Sequence, residues 1–136
     1  MIRNILALIA GLFVGMSVNM ALVMLNAHVL FPMPPGTDWN NPELLSAYIA
    51  TLPFAAFVVV LLAHLGQSFV GGFVAARFCA SRPMVLAMIV GVLSLAGGIM
   101  NMMSLDHPKW MLIELPLYLV VAWLAGRMEE RRRAGD

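Results

Sequence analysis

Four apolar runs are separated by short stretches where prolines and charges collect. The pattern predicts membrane spans over 4–31, 52–76, 83–104 and 109–128. The chain therefore reads as all-α and polytopic, a single four-span membrane domain over 1–136. The first run would rise about 42 Å as a helix, more than the ~30 Å hydrocarbon core, so it must tilt or project beyond the membrane. Arg3 ahead of an apolar run imitates a signal peptide. The run is longer than the roughly 7–15 residues of a signal h-region, and no small-x-small cleavage site ends it, so the segment is expected to be retained as the first span.

The breaks between spans have their own grammar. Pro32, Pro34, Pro35 and Gly36 end the first helix, and Trp39 suits an interface. Asn41-Pro42-Glu43 is a helix start: an N-cap, a proline in the first turn, an acid at the positive end of the dipole. It predicts a short interfacial helix over 42–51. Pro53 divides that helix from the second span, or kinks it if the two are continuous. Pro83 and Pro108 sit where helices begin, and Trp110 marks an interface. Pro116 falls inside the fourth span and predicts a kink there.

Helical periodicity gives each span a small or polar face. In the second span, His64, Gln67, Ser68, Gly71 and Ala75 share one side, with Leu62, Leu65, Phe69 and Phe73 opposite. In the first, Gly11, Gly15, Asn19, Leu22 and Asn26 align. In the third, Ala87, Gly91, Ser94, Gly98 and Asn101 align. In the fourth, Glu114, Tyr118, Val121 and Ala125 align, with Trp123 opposite. In lipid such faces turn toward other helices or a cavity. Gly11, Gly15, Gly71, Gly91 and Gly98 are the expected helix-packing positions.

Composition narrows the class further. The chain is 62% hydrophobic and 11% charged, against about 25% charged in a soluble domain. A net charge of +1 gives no reason to expect nucleic acid. The single Cys79 cannot form an internal disulfide and reads as a small apolar residue. Arg3, Arg77, Arg82, Arg127, Arg131, Arg132 and Arg133 fall on one side of a four-span arrangement, and only Lys109 on the other. That bias predicts a multi-pass protein with both termini cytoplasmic.

The chemistry-bearing candidates lie along the polar faces. His64 and Gln67 fall near the bilayer midplane, with Asn19, Ser94 and Tyr118 at similar depth. Burying them costs free energy unless partners exist. They read either as a substrate or proton path, which an imidazole suits because it exchanges protons near neutral pH, or as interhelical hydrogen bonds that fix packing. Asn26, Asn101 and Glu114 are expected to form a separate polar layer farther out. His28, Asp38, Asp106 and His107 lie near that layer, so His28, Asp106 and His107 are weak candidates for a metal. Met16, Met20, Met24 and His28 form a stripe that a Cu(I) site would suit. With 12 methionines in the chain, gap-filling accounts for them as well. No cofactor is expected. No phosphate loop, nucleophile elbow or His-Glu-x-x-His is present, so no catalytic residue is expected and the chain is not read as an enzyme.

Ala63-His64 with Gly71-Gly72, then Gly97-Gly98-x-x-Asn101, then Pro108-x-Trp110, resembles a group of small four-span bacterial membrane proteins with no assigned activity. The resemblance implies a bacterial inner-membrane location and supplies no catalytic residues. The leading expectation is a noncatalytic membrane component, a helix-packing subunit in a homo-oligomer or a larger complex of membrane subunits in the lipid bilayer. A small-solute, proton-linked or ion transporter built around His64, with Gln67, Asn101 and Glu114 on the same path, is one alternative. An outer-side metal-binding membrane protein is another.

Overall fold

The computed structural model describes residues 1–135, and among them it contains helices and no strand. Helix α1 spans Ile2–Leu25 and continues through a π-helical turn, Asn26–Leu30. Then come α2 (Pro42–Thr51), α3 (Phe54–Phe78), α4 (Pro83–Ser104), a 3-10 turn (Lys109–Ile113) and α5 (Glu114–Gly135). Among the described residues, four of these segments are long and apolar enough to cross a bilayer. The chain is an all-α, multi-pass membrane protein with a four-span bundle.

Local chemistry sets the boundaries. The Asn41 side-chain oxygen accepts from the Glu43 and Leu44 amides at 3.1 and 3.2 Å, capping α2. Leu52 and Pro53 are extended, so α2 stops and α3 starts afresh rather than continuing through a kink. Pro116 does not lie in mid-helix. The helix changes type one turn earlier, and Pro116 falls in the first turn of α5, where its missing N–H costs no regular α-helical bond.

Small residues decide how closely the helices approach. A methyl group at Gly11 would lie 2.5 Å from the Gly71 carbonyl oxygen, and one at Gly15 would lie 2.5 Å from that of Gln67. The α1 and α3 backbones therefore nearly touch, as small residues permit in membranes. Across α4 and α5, a methyl group at Gly91 would lie 2.5 Å from the Ala122 methyl, one at Gly98 would lie 2.6 Å from the Tyr118 ring and one at Gly126 would lie 2.7 Å from the Met84 sulfur. Ala75, Ala76, Ala87, Ala122 and Ala125 are fully buried between these contacts. The half of the bundle nearest the Arg-rich ends is thus tightly packed.

That end is also tied by charge. Glu129 is fully buried, and Arg132 and Arg133 donate to its carboxylate at 2.7–2.9 Å. Arg133 also donates to the Ala76 and Cys79 carbonyls at 2.8 and 3.0 Å, closing the C-terminus of α3. The guanidinium of Arg132, aided by that of Arg133, pushes the Glu129 carboxyl down to about 2. Glu129 lies beyond the apolar part of α5, in the charged run Glu129-Glu130-Arg131-Arg132-Arg133. At the opposite end, Phe54 and Trp110 rings pack with centroids 4.8 Å apart.

Candidate functional site: a polar cavity within the bundle

The other half of the bundle is open. A cavity of about 380 Å³ lies there, walled by all four spans and by α2. Its apolar wall includes Val23, Phe57 and Val60, and Trp39, Leu45 and Tyr48 border it on the α2 side. Tyr48 donates to the Phe31 carbonyl at 2.6 Å, which holds α2 against the π-helical turn. Its polar lining is Asn19, Asn26, His64, Gln67, Ser94, Asn101, His107 and Tyr118.

At the cavity wall, His64 Nδ1 lies 3.0 Å from Glu114 Oε2. Tyr118 donates to the other carboxylate oxygen at 3.4 Å. Glu114 is fully buried and His64 nearly so. A carboxylate only accepts, so ionised Glu114 holds the imidazole proton on Nδ1 and leaves Nε2 as an acceptor. Among the described residues Nε2 has no partner, and His64 lines the cavity while Glu114 does not. The His64 and Tyr118 rings are roughly parallel, with centroids 6.3 Å apart. Ser68 donates to the Tyr118 carbonyl at 2.8 Å, binding α3 to α5 beside the pair.

The sequence pattern predicted two polar layers, and the structure merges part of one into the other. Glu114 meets His64 because the five residues Lys109–Ile113 form a 3-10 turn. At about 2 Å per residue that turn carries the chain some 10 Å inward, against about 7.5 Å for an α-helix. Asn26 and Asn101 stay outside this contact. Asn26 donates to the Ala56 carbonyl at 3.3 Å, and Asn101 pairs with His107 Nε2 at 3.5 Å. Gln67 donates to Ser94 at 3.5 Å, a long contact at the same wall.

Two acceptors are left over. The side-chain oxygens of Asn19 and Asn26 are buried and have no hydrogen-bond partner, and both residues line the cavity. Such groups are rare in folded proteins because each carries a desolvation cost of about 1–3 kcal/mol.

The metal candidates do not converge. Among the described residues no three His, Cys, Asp or Glu side chains come together. His28 is exposed, Asp106 is exposed, and His107 Nδ1 is 2.9 Å from the Leu105 carbonyl. In the methionine stripe, Met16 and Met20 are more than half exposed on the bundle perimeter, while Met111, from the same outer side of the chain, is fully buried.

Sequence reasoning missed the cavity's aromatic border, because Trp39 and Tyr48 lie outside the spans. It also missed the contact between His64 and Glu114. The signal available was the pair of prolines, Pro108 and Pro116, that bracket an irregular turn. Compared with protein-family models, curated proteins and solved structures, the chain gives no match. The site is read from its own chemistry.

Proposed function

We propose that this protein is a proton-linked transporter or channel for a small solute, with the cavity as the binding site and His64 as the proton-carrying group. The observation that carries the reading is that His64 lines the cavity while its partner Glu114 is sealed behind it. A proton arriving through the cavity converts Nε2 from acceptor to donor and gives the pair a new charge state. The protein side of the site would then change its hydrogen-bonding polarity without any large movement. Ionisable groups within a membrane are costly and mark ion or proton pathways by default.

The same reading takes the membrane to be a bacterial inner membrane. Both termini face the cytoplasm, because seven of the eight basic residues share their side. The cavity then opens toward the outside, beneath α2. The exposed apolar residues of α1, among them Ile5, Ile9 and Phe13, suit lipid or a neighbouring subunit in a homo-oligomer.

A purely structural, helix-packing role is supported by the glycine and alanine contacts of the closed half. It offers no use for a cavity with two unpartnered acceptors, which is why the transport reading is preferred. Infrared difference spectroscopy of the protein in vesicles, between about pH 5.5 and 8, tests it. Imidazole and carboxyl bands should change with pH, and the change should be lost in His64→Gln. Bands that stay fixed across this range in the folded wild type would contradict proton linkage.

A further inference from the structure

The proposed site leaves open which solutes it accepts, and the lining answers in terms of hydrogen-bond polarity. Among the described residues no lysine or arginine lines the cavity. An anion would find no fixed positive charge there. The unused groups are acceptors: Asn19 Oδ1, Asn26 Oδ1 and, with Glu114 ionised, His64 Nε2. Both asparagine oxygens are buried just beneath the cavity surface, so a donor reaches them only when the side chains turn into the cavity. A ligand that satisfies such groups must bring N–H or O–H donors.

The rest of the cavity is apolar and aromatic. Phe57, Tyr48, Trp39 and Tyr118 border it, and ring faces attract cations. Helices α1 and α4 scarcely touch each other. Gly97 of α4 lines the cavity yet is exposed at the bundle perimeter, with open space where a side chain would be. The cavity therefore reaches the lipid-facing surface between these two helices.

We infer that the cavity binds a small lipophilic amine in its protonated form, which donates to His64 Nε2 and, as the asparagine side chains turn into the cavity, to their oxygens. The inference rests on the proton-linked reading above and adds the substrate class to it. The ammonium group and a proton compete for the same imidazole nitrogen. With Nε2 protonated, His64 presents an N–H toward the ammonium and repels it. Binding thus releases a proton from His64 to the aqueous end of the cavity. The titratable groups around His64 are Glu114 and Tyr118 of α5, Tyr48 of α2 and His107 of the loop before α5. Among the described residues, the polar groups that α1, its π-helical turn and α4 bring to the lining are the neutral Asn19, Asn26, Ser94 and Asn101.

Hexylammonium, which stays charged across the range used, is the probe, with hexanoate as an anion of equal length. Binding is measured by calorimetry on the protein in nanodiscs between about pH 5.5 and 8. Hexylammonium should bind and hexanoate should not. Affinity should fall about tenfold for each pH unit on the acid side, one proton being displaced per amine. His64→Gln should remove that pH dependence. Asn26→Leu, an apolar replacement of similar size, should weaken binding about tenfold or more while leaving the infrared pH response of His64 intact. Equal binding of hexanoate, or no binding of hexylammonium by a protein that still shows the infrared response, would overturn the amine assignment and leave proton linkage standing. Hexylammonium binding that is independent of pH would overturn the competition at His64.

Discussion

His64 and Glu114 are 50 residues apart in the chain and meet at 3.0 Å between Nδ1 and Oε2, inside the bundle. The pair joins α3 to α5 through ionisable side chains that are both buried. Removing one partner strands the other, so Glu114→Leu should destabilise the protein by about 3–5 kcal/mol. Glu114→Gln keeps an acceptor for His64 and should cost clearly less. The double replacement His64→Leu with Glu114→Leu should cost less than the sum of the single ones, because no orphan remains. Unfolding in mixed detergent micelles measures all of these. Strict additivity would mean that the two side chains do not interact.

Adjacent glycines on α4 make opposite predictions. A methyl group at Gly98 would lie 2.6 Å from the Tyr118 ring and hydroxyl, whereas nothing lies within 4 Å of one at Gly97. Tyr118 is 2% exposed and its hydroxyl is held by Glu114, so making room would break that contact and push the ring into the cavity. Gly98→Ala should therefore cost about 1–3 kcal/mol, and Gly97→Ala should be neutral or slightly stabilising. Equal tolerance at both positions would show that α4 presents a different face to α5.

The Arg-rich end should respond to acid. Glu129 has its carboxyl held down to about 2 by Arg132 first and Arg133 with it. A depressed carboxyl contributes stability above its unfolded value, near 4.5, and loses it as pH falls toward 2. Glu129→Gln should flatten the acid limb of a stability profile over that window. Arg131→Ala, at an exposed position, should leave the limb unchanged. An acid limb unaffected by Glu129→Gln would remove the buried carboxylate from the account.

Much of this architecture is legible in the sequence. Apolar run length gives the four spans, and Asn41-Pro42-Glu43 marks the start of α2 at Pro42. Periodicity alone aligns Gly11 with Gly15, and Gly91 with Gly98. Depth is harder to read, because it depends on rise per residue as well as on position. An α-helix through Lys109–Ile113 would leave Glu114 farther out, and the 3-10 turn found there brings it inward to His64. The cavity could not be read at all. It exists because α1 leans on α3 and leaves α4, and relative helix placement is not encoded in the face of any single span.

The most direct measurement is the one-sided water accessibility of the His64 level. In a Cys79→Ala background, single cysteines replace Gln67 and Ser94, which line the cavity, and Ala87, which is buried in the closed half. An Asn40→Cys variant marks the outer side. Sealed vesicles are treated from either side with a membrane-impermeant maleimide. The account predicts that the cysteines at 67 and 94 react from the same side as the one at 40 and not from the other. The cysteine at 87 should stay unreactive until the protein is unfolded. Cysteines at 67 and 94 that resist the reagent from both sides, yet react once the protein is unfolded, would mean a dry, packed core around His64 and would contradict the proton-linked site.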